Sequence, residues 1–253
     1  MASLIDHEQL ATEHGVQAIH ITPAGERLFA EQPDELEIFL RAAATLTGKE
    51  KGPKAQYGPK FANGDCAHLY AMPDDEAKCI KVTTTATFRK TKPLNEYDAS
   101  IAYLPDLIDE ARFMHAVGTR LAERPEMGVR APKQYAAVRC IGGMALLQER
   151  IPAEFKTIWS LMTKSGVTVK SPEYQNLKNT EATATQRVKQ ALGHSLLRIG
   201  VSDLAKRHGA SNRANILIQP ELPAEQSSIY VVDLVNARKF RRKLAGNIAR
   251  MYS

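Results

Sequence analysis

The stretch "RHGASNRANILIQ", residues 207–219, has the residue types and spacing of a phosphate-transfer loop that runs into a strand. His208 and Gly209 come first, and Asn215 opens the apolar run "NILI". An asparagine amide oxygen there suits a hard cation such as Mg²⁺. Between them, at Ala210, such a loop needs a carboxylate that orients a hydroxyl and takes its proton, and a methyl group does neither. Three other positions have chemistry to offer. Lys81 sits in "KCIKVTT", Glu110 follows Asp109 in "LPDLIDEARFM", and Asp233 sits in "IYVVDLV".

The elements that must position these residues follow from hydrophobic spacing. Residues 1–46 read as helical, with "DELEIFLRAAATL" (34–46) apolar at helical intervals. The Gly-, Pro- and Lys-rich run 47–60 reads as a linker. "FANGDCAHLYAMPDDEAKCIKVTT" (61–84) reads as three strands joined by turns at "NGD" and "MPDDE". "LPDLIDEARFMHAVGTRLAE" (104–123) reads as a helix capped by Asp106, with Leu107, Ala111, Met114, Val117 and Leu121 on one stripe. Two strands follow around a Gly-Gly turn, "QYAAVRC" and "GGMALLQERI". A short helix over 152–164 and an irregular polar segment over 165–180 come next. A long helical stretch over 183–207, broken near Gly200, then leads to two short strands, 215–218 and 229–235, and a basic helical tail. Strands first and helices second suggest an α+β protein with two lobes.

That order and those residues resemble the protein-kinase-like superfamily. The resemblance covers about residues 58–240. It implies a bilobal fold with a small antiparallel-sheet lobe and a reduced helical lobe. The segments would be a helical extension and linker (1–57), a small lobe (58–151) and a helical lobe (152–253). "CIKV" is similar to the strand motif "VAIK", so Lys81 would bind the α- and β-phosphates of ATP and Glu110, or Asp109 one register off, would pair with it. "LLQERI" is similar to the hinge, with Gln148 as gatekeeper and the backbone of Glu149 and Ile151 bonding adenine. Asn215 and Asp233 would hold Mg²⁺. The nucleotide would lie between the lobes.

The departures are specific. The glycine-rich loop is reduced to "NGDCAH", with Gly64 alone in place. One glycine still permits a tight strand turn whose N–H groups face a phosphate. The chain runs only a short way beyond Asp233, without the peptide-docking subdomain of ordinary protein kinases, which resembles the minimal kinases of bacterial effectors and phages. "HGASNRANILI" matches "HGDLHPGNILI" of the aminoglycoside-kinase-like members except at Ala210. Three readings are open there: a chain whose Asp has been replaced, a natural pseudokinase, or a base supplied by Asp203, whose spacing to Asn215 is long for this family.

Composition sets outer bounds. The chain has 253 residues, 43% hydrophobic and 25% charged, with a formal charge of +6. This suits a globular protein with an anionic ligand. Three cysteines without metal-ligand spacing read as reduced thiols, and the N-terminus lacks a signal-peptide pattern, so a cytoplasmic protein, or one delivered into a host cytoplasm, is expected. No apolar run is long enough to cross a bilayer. Histidines at metal-binding spacing and a G-x-S-x-G elbow are both missing, which disfavours a zinc hydrolase or a serine hydrolase. A protein substrate or host partner is expected, with a small molecule or nucleic acid as the alternative substrate. The basic tail permits nucleic acid but brings only Phe240 and Tyr252 for stacking.

Overall fold

The computed structural model describes residues 7–48, 57–63, 67–84, 106–164, 167–195, 197, 215–223 and 225–232. The fold is mixed α+β. Two compact units emerge, one made of Met1–Arg112 and Lys133–Arg150, the other of Phe113–Pro132 and Ile151–Ser253.

The first unit is built on a six-stranded antiparallel sheet. Its elements are α1 (His7–Glu13), β1 (Val16–Ile21), α2 (Pro23–Glu31), α3 (Asp34–Thr47), β2 (Lys60–Asn63), β3 (His68–Met72), β4 (Asp75–Thr84), the start of α4 (Leu107–Ala122), β6 (Gln134–Cys140) and β7 (Gly143–Glu149). Strand order is β1-β6-β7-β4-β3-β2. Pleating sends alternate side chains to opposite faces. Ile80 and Val82 of β4 join Leu36, Phe39 and Leu40 of α3 in one core. Leu146 of β7 and Ala137 of β6 pack on the other face with Leu107, Ile108 and Ala111 of α4. Helix α3 carries Asp34, Glu35 and Glu37 in its first turn, where acids face the positive end of the helix dipole.

The N-terminal region differs from its all-helical reading. "VQAIHI" forms β1 and pairs with β6, Val16 opposite Cys140. The strand has little alternation of its own. Its partner specifies it, since β6 would otherwise leave an unpaired edge. Thr22 then caps α2, accepting from the Gly25 N–H at 3.2 Å, while its own N–H donates to the Tyr135 carbonyl. Phe29, Leu36 and Phe39 share a core with the sheet, so the described part of 1–57 packs within this unit.

The second unit contains the rest of α4, a 3-10 turn at Pro125–Met127, β5 (Val129–Arg130), β8 (Lys156–Thr157), α5 (Ile158–Met162), α6 (Pro172–Leu192), β9 (Ile216–Ile218) and β10 (Ile229–Val231). Its sheet runs β5-β10-β9-β8. Phe113, Met114, Val117 and Leu121 of α4 pack with Ile158, Val188, Leu192, Ile216, Ile229 and Val231. The segment read as irregular is helical from Pro172. Ser171 caps it, accepting from the Tyr174 N–H at 3.2 Å, and proline takes its first position. The polar first half lacks an apolar stripe, which hid the helix. It stops at Gly193, in the left-handed region at φ 61°, ahead of Gly200. The helix expected over 152–164 shortens to Ile158–Met162 because Lys156–Thr157 pairs with β9. Among the described residues no helix is long and apolar enough to cross a membrane.

Candidate functional site

Lys81 stands on β4 in register with Leu146 of β7 and Leu69 of β3. It shares a sheet face with Cys79, opposite the face of Ile80 and Val82. Helix α4 begins where Asp106 caps it, Oδ1 accepting from the N–H groups of Ile108 (3.0 Å) and Asp109 (3.3 Å). Arg139 of β6 holds the other carboxylate oxygen at 2.9 Å, tying the cap to the sheet. Glu110 lies one turn after Leu107 and faces the sheet. Its Oε1 meets Lys81 Nζ at 2.6 Å, with side chains only 7% and 10% exposed. Asp109 turns elsewhere, its Oδ1 lying 3.6 Å from Arg112 Nη1. The register ambiguity thus resolves to Glu110.

The residues expected to form a hinge end β7 and precede the second unit in the chain. Gln148 is buried, and its Nε2 donates to Cys79 Sγ at 3.7 Å. Burial pushes the Cys79 thiol up to about 11, against smaller opposing effects of Gln148, Arg150 and Lys81. The Glu149 N–H is taken by the Lys133 carbonyl at 2.8 Å, while its carboxylate accepts from the Lys133 N–H at 2.9 Å. The Glu149 carbonyl receives a long contact from Cys79 Sγ at 3.9 Å. The Glu149 N–H is therefore already satisfied within the sheet. Ile151 is the first residue of the second unit after the crossing and is half-buried.

Asn215 is buried at the mouth of the β9–β10 pair, and its carbonyl accepts from the Val232 N–H at 2.9 Å. Asp233 follows Val232 in the chain. Asp233, Gly64, Ala210 and Asp203 all lie outside the described residues. Among the described residues no group of three His, Cys, Asp or Glu suits a metal. A Mg²⁺ ion would rely on the buried Asn215 amide and on Asp233, oxygen donors of the hard type it takes. In the second unit a cavity of about 310 Å³ is lined by Ala116, Thr119, Arg120, Glu123 and Ser195, none of them a candidate site residue from the sequence.

Two features had no sequence signal. Lys78 is buried on the α3 face and bridges Asp75 and Glu35, the latter at 3.4 Å. Arg150 stacks on Phe61, its guanidinium carbon 4.5 Å from the ring centroid. Both need the strand register to be seen. No protein-family model matches the chain, and no curated protein does.

Proposed function

We propose that the protein is an ATP-dependent phosphotransferase of the bilobal protein-kinase-like type, acting on a protein substrate, with transfer suppressed because Ala210 replaces the general base. The buried Lys81–Glu110 pair carries this reading. A buried ion pair adds little net stability, since desolvation offsets its attraction. Keeping one on a sheet face is better accounted for by use than by stability. Glu110 fixes the ammonium in place, and Lys81 presents it as a point charge to the α- and β-phosphates. Asn215 and Asp233 would supply oxygen ligands to Mg²⁺, which when bound would neutralise the phosphate charge. The Glu149 carbonyl and the Ile151 backbone take the adenine edge. Gly64 is the residue kept from the glycine-rich loop and is assigned to the phosphate side of the nucleotide. Ala210 has no group to take the proton of the attacking hydroxyl, so binding survives and turnover falls by about 10²–10⁴.

The test has two arms. Calorimetry should show ATP·Mg²⁺ binding to the chain and its loss in Lys81→Ala. Labelled ATP incubated with a cell lysate should transfer phosphate weakly with Ala210 and strongly with Ala210→Asp. Unchanged affinity in Lys81→Ala defeats the proposal. The second reading, a pseudokinase that binds nucleotide as an interaction module, is favoured by the alanine itself. It gains if binding persists and Ala210→Asp stays silent. Strong transfer with Ala210 that vanishes in Asp203→Asn would assign the base to Asp203.

A further inference from the structure

Arg150 extends the β7 ladder by one residue, its N–H donating to the Ala77 carbonyl at 2.8 Å. By strand alternation its side chain shares the face of Gln148 and Leu146 on β7 and of Cys79 and Lys81 on β4. On β3 the same face carries Ala71, in register with Cys79. Phe61 sits at the bulge of β2, between the pairs Lys60–Tyr70 and Ala62–Leu69, and remains 41% exposed. Because the Arg150 guanidinium lies over the Phe61 ring, the ring is drawn to this face. One half of the face is filled by α4 through Leu107, Ile108 and Ala111. The other half holds Ala71, Cys79 and Gln148, with Leu69 beside Lys81, and none of these joins an apolar cluster. A large aromatic ring with a cation stacked on it, beside a strip of sheet on which Cys79 lies two residues from the Lys81 ammonium, fits a planar base attached to an anionic chain.

We infer that Phe61 and Arg150 form the base-recognition pair of the nucleotide site, which rests on the phosphotransferase reading above. Phe61 offers its π-face to a purine. Arg150, anchored through its backbone to Ala77, holds the ring over the sheet. Neither side chain is assigned to the phosphates, so the pair should discriminate nucleotide from bare polyphosphate.

Two probes separate the base from the phosphates: ATP·Mg²⁺ and Mg²⁺-tripolyphosphate, titrated calorimetrically into the full chain. Phe61→Leu keeps apolar bulk and removes stacking. It should weaken ATP about 5- to 100-fold, the range for one base–aromatic stack, and change tripolyphosphate affinity less than two-fold. Phe61→Trp should retain ATP affinity. Arg150→Met keeps a long stem without charge and should weaken ATP about two- to five-fold. It also carries the test should Phe61→Leu unfold. Equal loss of both probes in Phe61→Leu, or loss of neither, overturns this inference and leaves the phosphotransferase reading standing. ATP binding no tighter than tripolyphosphate in the unaltered chain does the same. A chain that binds neither probe overturns both.

Discussion

Breaking the Lys81–Glu110 pair one side at a time should cost far more than removing it whole. At 2.6 Å and an effective permittivity of 20, the attraction is about 6 kcal/mol. Taking each ion out of water costs several kcal/mol, so the intact pair nets close to zero. Lys81→Met takes the ammonium from a buried carboxylate, and Glu110→Leu takes the carboxylate from a buried ammonium. Each should destabilise by about 3–5 kcal/mol, a large share of the roughly 5–15 kcal/mol that holds a domain together. At about 2–4 °C per kcal/mol for a chain of this size, each single variant should melt about 6–20 °C early. The double variant places apolar groups where the charges were and should return to within about 1 kcal/mol of the starting stability. Urea unfolding of the four proteins gives the coupling energy directly. ATP·Mg²⁺ binding should be absent from the double variant despite its recovered stability, which separates the use of the pair from its structural role. Additive losses, with the double variant as damaged as the two singles summed, would refute the reasoning.

Other consequences are as concrete. Burial opposes ionisation of Asp75, but hydrogen bonds from Lys78 and the Ala77 N–H outweigh it and hold its carboxyl below its ordinary value. That stabilisation is fully present above the unfolded-state value, near pH 4, and is lost as pH falls through the lower folded one. Asp75→Asn should flatten this acid limb in urea midpoints taken from pH 6 to pH 2, and an unchanged limb would argue against the clasp. Cys79, with its thiol near 11, should resist a thiol reagent at pH 8 in the native protein and react on unfolding; prompt native labelling contradicts this. Gly25→Ala would set a methyl carbon 2.0 Å from the Tyr135 carbonyl oxygen and should cost about 3 kcal/mol. Gly118→Ala on α4 meets nothing nearer than 3.8 Å and should stabilise by about 0.5–1 kcal/mol. Equal melting temperatures for the two glycine variants would show the close approach at Gly25 to be absent.

The three-strand run ending in Lys81 was legible because turn residues and alternation recur within a few positions. Glu110 was legible to within one residue, since the stripe from Leu107 to Leu121 fixes which side of α4 meets the sheet. Strand β1 was not, because six residues of weak alternation become a strand only against the edge of β6. The first half of α6 was hidden for the opposite reason. Its cap and proline signal a helix start, but its polar face offers no periodicity. The Phe61–Arg150 stack joins strands that are not neighbours in the sheet, and nothing local marks it. Lys78 shows the same limit, its partner Glu35 coming from a helix 43 positions earlier.

The β1–β6 pairing has a kinetic consequence. Thr22 and Gln134 bond across 112 positions of chain. At roughly 5–20 residues per second, a ribosome needs about 6–22 s to deliver the second after the first. Through that interval Phe29, Leu36, Phe39 and Leu40 have been made, while the sheet that covers them is incomplete. Each doubling of a closing loop adds about 0.6 kcal/mol of entropy cost, so this pairing forms late and non-locally, and the chain should fold slowly for its helix content. A variant in which the segment carrying β1, α2 and α3 is moved to follow β7 directly makes those contacts short-range. It should refold faster with little change in final stability, and it should depend less on chaperones that shield exposed apolar helices.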